Sequence, residues 1–357
     1  WRATYSSSAA YSPAFRGLQS PFSPEIRRPH TMDLSILIVT YNSASLIGGL
    51  LDHLQAEILS EGESLRAEII VVDNASRDGT VHRIRADHPS VRVVASAVNL
   101  GFAAGNNLAA RHARGRHLLL LNPDALPESG ALRRGVAWMD ANPKVGLGGG
   151  ELLGTDGSRQ PSARMFPTLR DEVFTLSGLA ARHPSSRLFA RMDRRWADPD
   201  ADAAVDWIPG AFVFIPAALF KTIGGFDERF FMYYEEVDLC RRLHERGYSV
   251  RYWPGLKATH IGGASARTVA DARVSRAGSQ LESWRMRSAL LYYRKHHGAA
   301  GALGWQLVEW GWNRLRQWRS AMRGQFDKAA DLGQHCQQVR QAWRDTRAGA
   351  VSPMKPW

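Results

Sequence analysis

The segment EIIVVDNASRDGT, residues 68–80, decides the fold class of this 357-residue chain. Its apolar run 69–72 ends at Asp73, and turn-forming residues follow. A second apolar run, 118–121, ends in the same way at Asn122-Pro123-Asp124. Short apolar runs bounded by polar turn residues are typical of strands buried on both faces. Carboxylates at the ends of such strands lie at the rim where open α/β sheets bind ligands.

Strand and helix signals alternate outward from this segment. The pattern predicts strands at 34–39, 68–72, 92–95 and 117–121, and helices near 43–61, 80–87, 106–113 and 128–142. This alternation favours an α/β fold with a mostly parallel central sheet flanked by helices.

The later half of the chain is less regular. Residues 154–205 show little periodicity, which suits a substrate-facing insertion or an ordinary surface excursion equally. Further predictions are a strand pair at 207–215, helices at 217–223 and 235–246, a strand at 250–253, and helices at 280–297 and 302–323. We therefore expect a disordered leader at 1–31, a main domain at 32–265 and a C-terminal helical extension at 266–357.

The net charge of +12 belongs to the two ends of the chain. Residues 266–357 hold 16 Lys and Arg against 6 Asp and Glu, whereas residues 32–265 are nearly neutral. The extension also holds seven of the twelve tryptophans. A basic, Trp-rich amphipathic helix suits an anionic membrane surface, but the pattern favours a helical pair packed on the main domain. Two cysteines without a CxxC pair, and no apolar run of spanning length, predict a cytoplasmic protein.

Five motifs occur in order along residues 34–265. They are Ile38-Val39-Thr40-Tyr41-Asn42, the 71–80 segment VVDNASRDGT, Asn99-Leu100-Gly101-Phe102, Leu121-Asn122-Pro123-Asp124, and Gly224-Gly225-Phe226-Asp227 followed by Glu235-Glu236-Val237-Asp238-Leu239. Together they resemble the inverting glycosyltransferases of family 2, in the rhamnosyltransferase-like branch. The resemblance implies a GT-A fold, a dTDP- or UDP-sugar donor and Mg²⁺ or Mn²⁺.

The resemblance also implies roles for individual residues. Donor contacts are expected from Thr40, Tyr41, Asn42, Asp73, Ser76, Asn99, Gly101, Asn106, Asn122 and Asp124. Asp124 and His260 are the expected metal ligands, Glu236 is the expected catalytic base with Glu235 and Asp238 in support, and Trp207 and Gly210 are expected to meet the acceptor. Gln160 and Arg164 are further candidates for donor contact.

Several of these residues have a second, purely structural interpretation. An Asp73 carboxylate suits the N3–H of uracil or thymine, but it also suits a turn cap. Residues 99–106 could offer backbone N–H groups to an anion or form a tight strand-to-helix turn. Glu235 and Glu236 could complement a helix dipole, Asp238 could pair with a nearby arginine, and Trp207 could be a core residue.

The function predicted from the sequence is a metal-dependent inverting glycosyltransferase. It would move a sugar, plausibly rhamnose from dTDP-rhamnose, onto a cell-surface glycan or lipid-linked acceptor, at the inner face of the plasma membrane. A sugar-nucleotide pyrophosphorylase is disfavoured because residues 40–45 offer no Gly-rich basic loop. The alternative is a catalytically silent membrane- or nucleic-acid-binding protein that uses the basic C-terminal helices, although a neutral core with acidic sites disfavours nucleic acid.

Overall fold

The computed structural model describes residues 32–261 and 280–353. The predicted leader at 1–31 and the predicted domain boundary near residue 265 lie outside the described residues. The strands are β1 Leu34–Thr40, β2 Ala67–Asn74, β3 Arg92–Ser96, β4 His117–Leu121, β5 Ala125–Pro127, β6 Val145–Leu153, β7 Arg159–Gln160, β8 Ala203–Val205, β9 Phe212–Pro216 and β10 Ser249–His260. The helices are α1 Ala44–Glu61, α2 Thr80–Asp87, α3 Gly101–Arg111, α4 Ala131–Ala141, α5 Leu169–Leu176, α6 Leu179–Arg182, α7 Ala217–Thr222, α8 Glu235–Glu245, α9 Gln280–Met322 and α10 Phe326–Asp345.

All ten described strands belong to one mixed sheet with the order β3-β2-β1-β4-β9-β6-β10-β5. Six strands of this order run in one direction, while β9 and β5 run in the opposite direction. The register of β1 with β2 pairs Thr40 with Asp73, so the polar residues that end the two strands lie side by side. The α/β fold class with a mostly parallel sheet is confirmed.

Helices cover both faces of the sheet. Along β1, Leu37 belongs to one apolar cluster, whereas Ile36 and Ile38 belong to the other. Successive side chains of a strand point to opposite faces, so a strand that is apolar at every position must be covered on both sides. This double burial explains why the apolar runs in the sequence are continuous.

The elements match the predictions best where the apolar runs are longest. The strand at 117–121 and the helix at 80–87 have the predicted bounds. α3 begins five residues earlier than predicted because Gly101, at φ +83°, already starts the helix after the turn. The predicted strand pair at 207–215 is wrong: only β9 is a strand there, and Trp207 forms an isolated bridge with Arg164. β10 is longer than predicted and continues past a bulge to His260, and α10 had no predicted counterpart.

The C-terminal helices pack on the sheet domain. Met286, Tyr292, Trp305 and Val339 are buried in the same apolar cluster as Leu37. α9 consists of two helical stretches that meet at a kink, because Gly298 has the non-helical angles φ +69° and ψ −170°. The described part of the chain contains no helix that combines the length and the apolarity needed to cross a bilayer.

Candidate active site

The ends of β1 and β2 form a hydrogen-bonded polar corner. The Thr40 hydroxyl donates to Asp73 Oδ1 at 3.1 Å, and the backbone N–H of Ser76 donates to Asp73 Oδ2 at 2.9 Å. The Asn42 N–H donates to the Ser76 hydroxyl at 2.8 Å. Asp73 is 2% exposed. The structure thus brings together four of the residues predicted to meet the nucleotide, and Asp73 also performs the turn-capping role that was its alternative.

The turn before α3 uses its N–H groups inside the protein. The Gly101 N–H donates to Asn99 Oδ1 at 2.9 Å, and the Phe102 N–H donates to the carbonyl of Phe231 at 2.8 Å. The buried Asn106 amide donates to the Phe102 carbonyl at 3.0 Å. These contacts match the tight-turn interpretation of residues 99–106, and a donor contact from Asn99, Gly101 or Asn106 stays a prediction.

Asn122, Asp124 and His260 converge at the ends of β4 and β10. His260 Nε2 lies 3.4 Å from Asp124 Oδ1 and 3.4 Å from the Asn122 amide nitrogen. The side-chain amide of Gln160 donates to the His260 carbonyl at 2.7 Å, so its oxygen is left to accept the Nδ1–H of the ring at 2.8 Å. This arrangement fixes the tautomer and turns the Nε2 lone pair toward Asp124.

This group fits a divalent cation of the Mn²⁺ or Mg²⁺ type. It offers a carboxylate oxygen, which suits both Mn²⁺ and Mg²⁺, and an imidazole nitrogen, which suits a transition-metal ion such as Mn²⁺ better than Mg²⁺. Mg²⁺-type ions commonly keep waters and substrate phosphates as their other ligands. Asp124 and His260 therefore form a two-ligand platform at the sheet rim.

The acidic segment, residues 231–238, begins in an unusual backbone conformation. Tyr233 and Tyr234, at φ +69° and +66°, are two successive non-glycine residues in the left-handed region. α8 starts directly after them at Glu235, which is buried, and Glu236, which is half-buried. Asp238 is fully buried and accepts from Arg242 Nε at 2.8 Å, so its predicted pairing with an arginine is present.

Contacts join these groups along one rim. A Cβ added to Gly210 would lie 3.9 Å from Glu236 Cβ and 3.2 Å from the Phe102 ring. The neighbouring Ala211 carbonyl accepts from the Asn122 N–H at 3.0 Å, which links Gly210 to the Asp124–His260 pair. On the other side, the Asn74 amide next to Asp73 donates to the Gly101 carbonyl at 3.1 Å.

Residues 35–195 match the family model described as Glycosyl transferase family 2. The chain carries a family 2 glycosyltransferase domain.

Relatives of this glycosyltransferase transfer rhamnose, according to their names. The chain is 29% identical over 240 residues to the N-acetylglucosaminyl-diphospho-decaprenol L-rhamnosyltransferase of Mycobacterium tuberculosis H37Rv, covering 64% of this chain and 75% of that protein. It is 27% identical over 237 residues to the rhamnosyltransferase WbbL of Escherichia coli K12, covering 63% of this chain and 82% of that protein.

Solved structures share the fold of the glycosyltransferase. The mannosyltransferase PcManGT from Pyrobaculum calidifontis, solved in complex with GDP-Man and Mn²⁺, has a TM-score of 0.51 at 19% identity, covering 90% of this chain and 85% of that chain. GalNAc-T7, solved with UDP, GalNAc and Mn²⁺, also has a TM-score of 0.51 at 12% identity, covering 89% and 57% respectively. At these identities the likeness establishes the fold alone.

Burial gives the two glutamates of the glycosyltransferase different acidities. Burial raises the pKa of Glu236 to about 6, although the positive charge of Arg164 opposes the change. Burial, followed by the neighbouring charge of Glu236, raises the pKa of Glu235 well above its usual range. Two adjacent carboxyls in a buried site resist joint ionisation, so the pair keeps a proton to higher pH than an ordinary glutamate does, and a carboxylate of raised pKa suits a general base.

Two residues acquire clearer roles in the structure than their sequence context gave them. Gln160 orients His260 from 100 residues away. Arg164 lies with its guanidinium 4.7 Å above the Trp207 ring, and its charge favours ionised Glu236. In the sequence, Gln160 and Arg164 were recognisable only as polar residues in an irregular insertion.

Trp207 is a core residue in this structure. It is 8% exposed, its ring is covered by Arg164, and its indole N–H donates to the Met165 carbonyl at 3.0 Å. The structure therefore displays the core alternative that was weighed for Trp207. Stacking of Trp207 on an acceptor sugar would require Arg164 to move away.

A second carboxylate and histidine group lies in the C-terminal helices. Ligand atoms of Glu282, Glu309 and His335 lie within 4.8 Å of one another. Arg285 contacts both acids, at 2.6 Å for Glu282 and 3.6 Å for Glu309. The guanidinium compensates their charge within the protein, so the arrangement is explained without an ion.

Proposed function

We propose that this glycosyltransferase moves rhamnose from dTDP-rhamnose, with inversion, onto a lipid-linked glycan precursor. The observation that carries the proposal is the convergence of Asp73, the Asp124–His260 pair and Glu236 on one sheet rim. Asp73 and Asp124 lie within the residues that match the family 2 model. The rhamnosyl donor and the diphosphate-lipid acceptor are supported by the names of the relatives.

Each part of the rim has a distinct task in this proposal. Asp73 and its neighbours hold the thymine or uracil nucleotide, with the carboxylate accepting the base N3–H. Asp124 and His260 would hold Mn²⁺ or Mg²⁺, with Asn122 beside them. When bound, the ion would neutralise the negative charge that develops on the leaving diphosphate.

Glu236 removes the proton from the acceptor hydroxyl in the transfer step. The hydroxyl oxygen forms a bond to the anomeric carbon while the bond from that carbon to the diphosphate oxygen breaks. The nucleoside diphosphate leaves with the electron pair of the broken bond, and the configuration at the anomeric carbon is inverted. Glu235 lies beside the base, and Gly210 leaves room for the acceptor next to Glu236.

A transfer assay with a matched variant tests this proposal. Wild-type protein with Mn²⁺, dTDP-rhamnose and a polyprenyl-diphosphate-linked N-acetylglucosamine should form the disaccharide. UDP- and GDP-sugars are tested as alternative donors in the same assay. Glu236→Gln should abolish transfer while leaving the Kd for dTDP within about twofold, because the change removes the base and keeps its size. Product from another donor would correct the sugar, and transfer by Glu236→Gln at the wild-type rate would refute the base.

The C-terminal helices supply a surface for the lipid-linked acceptor. Trp318 is 60% exposed, and Met322 and Phe326 are each 72% exposed, at the turn between α9 and α10. Four exposed arginines surround them, namely Arg314, Arg316, Arg319 and Arg323. The only acidic residue of 302–323 is Glu309, which is buried.

An anionic membrane surface is the occupant that we propose for this face. A second copy of the chain would bring arginines against arginines, whereas anionic headgroups neutralise them while the apolar side chains enter the interface. Trp318 has the amphipathic ring that favours the headgroup level. Membrane contact would then place the active site beside acceptors that are anchored in the bilayer.

Vesicle sedimentation tests the membrane contact. Wild-type protein should sediment with vesicles of phosphatidylcholine containing about one-third phosphatidylglycerol and stay in solution with pure phosphatidylcholine, because polybasic binding needs anionic lipid. Trp318→Ala combined with Phe326→Ala should lose most of this binding. Leu59→Ala is the matched control, because Leu59 is 82% exposed on α1, outside this face. Equal binding by the control and the double variant would refute the assignment.

A further inference from the structure

The backbone of the acidic segment needs support from outside the segment. Tyr233 and Tyr234 both have left-handed φ angles although neither is glycine. Such residues cost free energy and persist only where the surrounding structure over-determines them. They immediately precede Glu235 and Glu236, so any relaxation of their backbone would move the proposed base.

α9 provides this support from four successive turns of one face. The Trp284 ring lies 4.4 Å from the Phe231 ring, and the Tyr292 ring lies 5.3 Å from the Tyr234 ring, both measured between centroids. Between them, the Ser288 hydroxyl donates to the Met232 carbonyl at 2.7 Å. Residues four apart share a helix face, so Trp284, Ser288 and Tyr292 form a stripe along the segment.

The same stripe reaches the start of α8. His296 Nε2 lies 2.7 Å from Asp238 Oδ1, and Lys295 Nζ lies 2.6 Å from the same oxygen. Lys295 also contacts Asp227 at 2.8 Å, before the acidic segment. Burial alone would raise the pKa of Asp238, but the hydrogen bond from His296 and the charges of Arg242 and Lys295 hold it below its usual range. Asp238 is thus an ionised anchor two residues after Glu236.

We propose that α9 is a positioning element for catalysis, in which Ser288 and His296 hold the acidic segment so that Glu236 is aimed at the acceptor hydroxyl. Neither residue is placed to touch substrate. The inference rests on the proposed function, since it gives these two residues a task in the same transfer step. It also gives the C-terminal extension a part in the active site in addition to membrane contact.

Kinetics of two variants test the inference. Ser288→Ala removes one hydroxyl, and His296→Ala removes the contact to Asp238. Each variant should lower kcat by about tenfold or more, because a bound acceptor reacts slowly when the base is misplaced. Each should leave the Kd for dTDP within about twofold of wild type. His296→Gln should restore most of the lost kcat if its side-chain amide again contacts Asp238.

The matched control is Ser320→Ala, the same change in a buried serine near the far end of α9. It should keep wild-type kcat, and retained dTDP binding shows that each variant is folded. Variants with lowered melting temperature but unchanged kcat would overturn the positioning role. Equal losses in kcat and in dTDP affinity would also overturn it, because the whole site would then be disturbed. Wild-type protein that transfers no sugar would instead refute the proposed function.

Discussion

Gly101→Ala is expected to damage catalysis by pushing on Phe231, the first residue of the acidic segment. A Cβ at this position would lie 2.3 Å from the Phe231 carbonyl oxygen and 2.7 Å from the Phe231 ring. Real Cβ contacts essentially never fall below 3.0 Å, so the oxygen must withdraw by about 0.7 Å. That movement weakens the 2.8 Å hydrogen bond from the Phe102 N–H to the same oxygen.

The magnitude follows from two separate costs. An alanine at φ +83° costs about 1–2 kcal/mol because its Cβ crowds the backbone in the left-handed region. The weakened hydrogen bond adds about 1 kcal/mol. A displacement near 0.7 Å, five residues before Glu236, should lower kcat by about ten- to a hundredfold, since a misplacement of about 1 Å can cost about a hundredfold.

Gly247→Ala separates the two costs. Gly247 has a nearly identical φ of +81°, but nothing lies within 4 Å of an added Cβ, and it follows α8 at the end away from Glu236. Urea unfolding should show the strain of about 1–2 kcal/mol alone, and kcat at saturating donor and acceptor should stay within about twofold of wild type. If both alanine variants show the same stability and the same kcat, the contact with Phe231 is not a constraint on the base and the reasoning fails.

Three further predictions concern the rim itself. The rate of transfer should fall about tenfold per pH unit below about pH 6. Burial raises the pKa of Glu236 to about 6, and only the ionised carboxylate accepts the proton. A kcat profile that stays flat to pH 5 would contradict this assignment. Gln160→Leu should raise the Kd for Mn²⁺ by about ten- to a hundredfold, because His260 loses the partner that fixes its tautomer. Titration calorimetry in the presence of dTDP measures this Kd. Unchanged affinity would remove His260 from the ligand set. Asp73→Asn should weaken dTDP binding by about 1.5–3 kcal/mol in the same calorimeter, because a hydrogen bond to a charged acceptor is lost, and equal affinity would leave Asp73 as a turn cap alone.

Local features allowed much of the rim to be predicted. Asp73 and Asp124 follow apolar runs that are continuous because both faces of the sheet are covered, and carboxyl ends of parallel strands share an edge. The failures occurred where tertiary contacts override local pattern. The apolar stretch around Trp207 looks like a strand, but a loop packs there instead, with the indole N–H bonded to Met165 and the ring covered by Arg164.

The sequence by itself determined the α/β class, the family and the identity of the acidic groups, because these depend on continuous apolar runs and on short contiguous motifs. Only the tertiary structure decided which distant residues serve those groups. Gln160 meets His260 across 100 residues, and Ser288 meets the Met232 carbonyl across 56. Such contacts follow from the way that β7, β10 and α9 pack against the sheet domain, and neighbouring residues in the chain carry no record of that packing.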